Sequence, residues 1–159
     1  MAKYANDGMI RVDYTLTIAS KAAPTVAELN AGTPLTIWLT KDGVTTPSGQ
    51  NFVDDSSLAE TFDSQVVGSF GGPVALTMKR DGIPANDTAW NLITYGLLGF
   101  VVVRRGVTAS TAWTIAQKVE VYPVMWHEPV PQQTASNEQG RFNAQAAVTS
   151  QPNLKATVA

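Results

Sequence analysis

The chain has 159 residues, no cysteine, one histidine and a net charge of −2, a size that predicts one domain. That composition leaves no means for a disulfide framework, thiolate catalysis or a Cys- or multi-His metal site. It also offers no basic footprint for gripping nucleic acid. Charged residues are only 15% of the chain, and the abundance of Thr, Val and Ala favours β structure over a helical bundle.

The opening MAKYANDGMIRVD has no apolar run of signal-peptide length, and Phe100 to Val103 is too short to span a membrane, so a soluble protein made in a cytoplasm is expected. Ile10, Val12, Tyr14, Leu16 and Ile18 then alternate with Arg11, Asp13, Thr15 and Thr17, the period of a strand with one covered face. Thr25 and Glu28 form a capping box, which with Gly32 as stop predicts a two-turn helix over about 25–31. Leu35, Ile37 and Leu39 read as one face of a short strand. Residues 41–57 (KDGVTTPSGQNFVDDSS) are dominated by turn chemistry and predict a long loop. Strands are expected over about 58–67 and 74–80, joined across Gly68 to Pro73. Asn86 or Asp87 caps a short helix that Gly96 ends, with Trp90 and Ile93 on its buried stripe.

Leu97 to Arg105 is apolar on both faces and predicts a strand covered on both sides. In 114–125, Ile115, Val119, Val121 and Met125 are expected to face the core. Pro129 and Pro131 cannot donate to a ladder, so the chain leaves the sheet there, passes through the polar run 132–139 and returns. The return is a strand over about 140–149, with Phe142, Ala144, Ala146 and Val148 opposing Arg141, Asn143, Gln145 and Thr149. The sum is a mainly β fold, a β-sandwich or barrel with one or two short flanking helices, in a single domain over 1–159.

No constellation carries chemistry. His127 between Trp126 and Glu128 lacks a flagged nucleophile to serve. Asp54, Asp55, Glu60 and Asp63 lack the alternating oxygen spacing of a calcium loop and read as a solvated acidic segment. Asn86-Asp87-Thr88 is better a helix cap than a glycosylation site, and Gly68 to Gly72 has no lysine at nucleotide-loop spacing. The pairs Lys79-Arg80 and Arg104-Arg105 suit edge protection as well as phosphate contact. Most of Trp38, Trp90, Trp113 and Trp126 are expected in the core, with one or two available to anchor a protein interface. Neither catalysis nor a cofactor is expected.

Four stretches, APTVAELNAGTPLTIWLT, LAETFDSQVVGSFGGPVALTMKRDG, AWNLITYGLLGFVVVRRG and VYPVMWHEPVPQQTASNEQGRFNAQAAVTSQPNLKATVA, together resemble the major tail tube proteins of long-tailed bacteriophages, particularly those of actinobacteria. The ordered set covers nearly the whole chain; Trp126-His127 departs from it, smaller residues being usual there. The resemblance implies a sandwich or barrel like that of the phage lambda major tail protein. It further implies hexameric rings stacked into a hollow tube that holds the tape-measure protein, meets terminator and distal tail proteins, and later conducts DNA. The expected location is the virion tail, with assembly in the host cytoplasm. A conduit should not hold its cargo, and small polar or acidic side chains avoid the counterion release that makes DNA binding strong. Asp13, Thr15, Asp63, Gln65, Lys118, Glu120, Asn143 and Gln145 are therefore expected to line the lumen. The loop 41–57, through Lys41, Asp42, Val44, Phe52, Asp54 and Asp55, is expected to reach the adjacent ring. The alternatives are a terminator or connector ring, or a β-sandwich ligand-binding module.

Overall fold

Period-two alternation in the sequence becomes an antiparallel sheet in the computed structural model, which describes residues 6–59, 61–133 and 136–159. In chain order the elements are β1 (Ile10–Thr15), α1 (Val26–Asn30), β2 (Thr33–Pro34), β3 (Leu39–Thr45), β4 (Gly49–Asp54) and β5 (Gln65–Gly71). There follow β6 (Val74–Lys79), a 3-10 turn at Pro84–Asn86, α2 (Thr88–Leu92), β7 (Leu98–Arg105), β8 (Lys118–Trp126), β9 (Val130–Pro131), β10 (Arg141–Val148) and β11 (Asn153–Thr157). The main sheet runs β2-β1-β7-β8-β10-β6-β3, with β11 beside β8 and β9 beside β10, while β4 and β5 pair only with each other.

Strands from both halves of that path bury side chains in one core. Val12 and Tyr14 of β1, Val101 and Val103 of β7, Tyr122 and Trp126 of β8, Phe142 of β10 and Met78 of β6 all meet there, with Ala89 and Ile93 from the α2 region. A sheet whose distant strands share a core is bent over on itself. Its end strands β2 and β3 do not bond to each other, so the result is a sandwich and not a closed barrel.

The reverse face of the β7–β8 half carries a second core of Val102, Val119, Val121, Leu29 of α1, Trp113 and Val158. Two covered faces explain why Val101, Val102 and Val103 are all fully buried, as their unbroken apolar run predicts. The capping box at α1 is formed as expected, with Thr25 as N-cap and the Glu28 side chain returning to the Thr25 N–H.

Several expectations are corrected. Leu35 is buried but Ile37 is 73% exposed, because residues 35–38 form a turn. Thr36 Oγ1 accepts from the Val12 N–H and donates to the Val12 carbonyl, tying that turn to β1 in place of a strand. The segment 41–57 is not a loop: β3 runs through its start and β4 through its end. Gly43 in β3 lies against the Thr77 carbonyl, where an added Cβ would sit 2.4 Å away. The strand expected at 58–67 begins only at Gln65 and continues through the glycines to Gly71, so the turn into β6 is Gly72-Pro73. Glu60, also within that expected strand, lies outside the described residues, as do positions 134 and 135 of the polar run 132–139.

The second helix stops at Leu92, and Asp87 makes no side-chain cap bond; its carboxylate is engaged by Arg80 instead. Ile115 and Met125 are exposed, since β8 starts at Lys118 and Ala116 adopts a positive φ of 72° before it. The even-numbered Tyr122, Val124 and Trp126 face the main core.

Strand β11 is an addition. With β10 it forms one interrupted strand along β8, Val148 opposite Val124 and Asn153 opposite Val121. Pro152 and the two extra residues break the alternation that would have marked it.

Candidate functional site

The feature with no structural partner is the ribbon β4–β5. All six residues of β4 and all but Gly68 of β5 are exposed. The ribbon nevertheless carries Phe52, Val53, Val66, Val67 and Phe70, and the chain between its strands adds Leu58 and Phe62, every one of them exposed. Phe52 pairs across from Val67 and Val53 from Val66. Adjacent residues of a strand point to opposite faces, so the ribbon is apolar on both. A cross-strand bond from Asn51 Nδ2 to Ser69 Oγ, at 2.8 Å, is its side-chain tie. An isolated two-stranded ribbon is marginal in water, and an exposed apolar surface of this kind marks an interaction site. Asp54, Asp55 and Asp63 give the same region its charge. Asp54 accepts from the Ser56 hydroxyl and N–H, which holds its carboxyl below the usual carboxylate range.

Of the residues expected to reach a neighbouring ring, Phe52, Asp54 and Asp55 therefore stand on this ribbon. Lys41, Asp42 and Val44 do not; they belong to β3, Lys41 facing Asp7 at 3.9 Å and Val44 packing partly against the main core.

The eight residues expected to line a lumen are not brought to one surface. Asp13 and Thr15 are buried at 1% and 3% exposure and cannot face solvent. Asp13 accepts from Arg11 at 2.8 Å and from Trp113 Nε1 at 2.9 Å, beneath the segment that carries the second core. Alternation identifies which face a side chain takes, and says nothing of whether that face is covered. Glu120 pairs with Arg105 at 2.9 Å and accepts from the Tyr122 hydroxyl at 2.8 Å. Burial, then the Glu120 contact, pushes the Tyr122 phenol well above its ordinary value. Lys118 donates to Thr157 Oγ1.

On the opposite face of the sheet, Asn143 accepts from Thr77 Oγ1 at 2.9 Å and Gln132 Nε2 at 2.8 Å, with the exposed Gln145 two residues on. Asp63 and Gln65 belong to the ribbon region. Thus Asn143 and Gln145 share one face, Lys118 and Glu120 another, and the rest lie apart.

Three of the four residues of the basic pairs, Arg80, Arg104 and Arg105, are engaged within the protomer. Arg104 is fully buried, donating to the carbonyls of Thr108, Thr111 and Ala112; Arg80 stacks 3.7 Å from the Trp90 ring centre. His127 is exposed with its ring edge-on to Tyr95. Among the described residues no three His, Cys, Asp or Glu side chains converge to hold a metal ion.

A family model described as phage tail tube protein matches residues 1–159. The chain belongs to the phage tail tube protein family. A search of curated proteins returns no match. Among solved structures, a chain of the anti-feeding prophage (AFP) baseplate, determined by cryo-EM and 6-fold symmetrised, is similar over 98% of both chains, at TM-score 0.60 and 8% identity. At that identity the likeness is one of fold. Membership makes this tail tube protein a structural component of a phage tail-tube-like assembly, located in the virion tail, and a non-enzymatic one. Among the described residues the ribbon gathers the exposed apolar side chains Phe52, Val53, Val66, Val67 and Phe70 in one element.

Proposed function

We propose that this chain forms hexameric rings that stack into a hollow tail tube, with the ribbon β4–β5 of each copy bridging to the next ring. The observation that carries this reading is a two-stranded ribbon exposed along its length yet apolar on both faces. Such a surface is a liability in a monomer and is resolved when a neighbour covers it. The six-fold baseplate that contains a chain of similar fold supports the ring number. A lumen built from the outward face of β10 and β6 would be polar and uncharged at mid-strand, through Asn143, Gln145 and Thr77, with the paired Arg141 and Lys79 at one end of it, so that DNA would be held only weakly. The tape-measure protein would fill that lumen during assembly, and terminator and distal tail proteins would close its ends.

Negative-stain electron microscopy of purified protein across a concentration series tests the reading. Hollow tubes of uniform width are expected. They should be lost, with protomers still folded, when residues 50–70 are replaced by a short turn. Normal tubes from that variant would remove the ribbon from its role.

A further inference from the structure

The ribbon's acidic character has a counterpart elsewhere on the chain. Between Thr45 and Val74 the sequence has four acids (Asp54, Asp55, Glu60 and Asp63) and no base, while the remainder has eleven bases against nine acids. At the root of the ribbon lies an open groove of about 940 Å³. Its walls come from three places: the segment after β1, the start of β11, and the ribbon residues Gln50 and Phe70. Two lysines line it, Lys21 and Lys155, together with the exposed apolar side chains of Leu154 and Phe70.

Lys21 Nζ donates to Ser150 Oγ at 3.1 Å and to the Gln151 carbonyl at 2.9 Å, both neutral acceptors. Among the described residues neither Lys21 nor Lys155 forms an ion pair. The carboxylate bonded to the groove-lining Ala19 is Glu28, and it already accepts from the Ala19 and Thr25 N–H groups and the Thr25 hydroxyl. The groove is thus cationic and partly apolar, complementary in both respects to the far end of the ribbon.

A ribbon cannot fill its own groove. Gln50 and Phe70 stand at the wall, whereas Asp54 and Asp55 lie four or five residues further out, roughly 15 Å along an extended strand. We propose that the acidic, apolar end of the ribbon seats in the Lys21–Lys155 groove of a second copy of this chain. The contact rests on the reading of the ribbon as the bridge between rings, and it names the surface that receives it. Donor and acceptor are different patches of one molecule, so the contact is heterologous and repeats without closing. Opposite charges also set its direction, because ribbon against ribbon is repulsive and groove against groove is too.

The test is a charge exchange in the full-length protein, read by electron microscopy and by disulfide trapping. Lys21→Glu with Lys155→Glu should lose tubes at concentrations where the parent protein forms them, and so should Asp54→Lys with Asp55→Lys, each keeping its circular dichroism spectrum. Mixing the two variants, or combining all four changes in one chain, should restore assembly. Because the chain lacks cysteine, Asp55→Cys in one preparation and Leu154→Cys in another give an unambiguous second readout. A disulfide between the two proteins is expected on mixing, well above the yield with cysteine placed at the exposed Ser110, which follows the Ala109–Gly8 backbone bond and does not line the groove.

Normal tubes from both charge variants, or no disulfide above the Ser110 control, overturns the proposal. If the variant lacking residues 50–70 fails to form tubes while the lysine variant forms them normally, the ribbon's role stands and only this acceptor falls. If the shortened variant itself forms normal tubes, both readings fall together.

Discussion

Asp13 is held by Arg11 and by the Trp113 indole N–H, and the guanidinium groups of Arg11 and Arg104 lie 4.5 and 4.8 Å from that indole's ring centre. The buried carboxylate, the indole and two cations form one unit, and removing a donor leaves the carboxylate under-satisfied. Trp113→Phe is expected to cost about 1–3 kcal/mol, measured by urea unfolding. A cost near zero would mean that Arg11 alone satisfies Asp13. Glu28 supplies a second test. Two backbone N–H bonds, from Thr25 and then Ala19, hold its carboxyl below the usual carboxylate range. A depressed folded pKa contributes stability above the unfolded value, and that contribution is lost as pH falls through the folded one. Glu28 is partly open to solvent, so screening keeps the effect small. Glu28→Gln should cost about 0.5–1 kcal/mol at neutral pH, and the difference from the parent should shrink in acid. An equal difference at pH 7 and in strong acid would show that charge plays no part.

At the scale of elements, β6 and β10 were legible because each alternates between a covered and a more open face, which the two-residue period reports directly, and β1 because its apolar and polar side chains alternate even though both its faces are covered. The helix α1 was legible through its cap. The ribbon was not, for a physical reason: with both faces wet in the protomer, Gln50, Asn51, Phe52, Val53 and Asp54 obey no alternation that a single chain would impose. Composition did single out this region, since Phe52 and Val53 are apolar residues in a stretch otherwise built for turns. The lumen candidates Asp13 and Thr15 alternate correctly but are buried, Asp13 under Trp113 and Thr15 against Gly32, coverings no local pattern encodes. Replacing Phe52 and Phe62 by serine should abolish tubes while leaving the unfolding midpoint within a few degrees, because neither side chain belongs to a core cluster. A large drop in the midpoint would show that the ribbon stabilises the protomer.

At the scale of the whole molecule, the sandwich presents two different faces, and only one of them is free of a second core. Gln145 lies on the β10 face, two residues from Asn143 and away from Phe142 and Ala144. If that face lines the tube, Gln145→Lys should leave tubes intact while making them retain short DNA in low salt, with release as salt rises. Tubes that gain no salt-sensitive DNA retention would place Gln145 outside the lumen.

The strand pairing also spans the chain, with Ile10 opposite Arg105 and Thr157 opposite Lys118. Pairings of such separation make for slow folding, in milliseconds to seconds, which stopped-flow tryptophan fluorescence would follow.

The ribbon is local in sequence, whereas the groove at its root adds residues 19–22 and 151–155 to Gln50 and Phe70, and these meet only when the last strand has landed. The two ends of the proposed contact therefore mature at different times. A half-folded copy could insert its ribbon into a finished neighbour but could receive none, and growth past it would stop. Polymer length would then become a record of how completely the pool had folded before assembly began: protein concentrated during refolding should yield short tubes, and protein refolded dilute and concentrated afterwards should yield long ones.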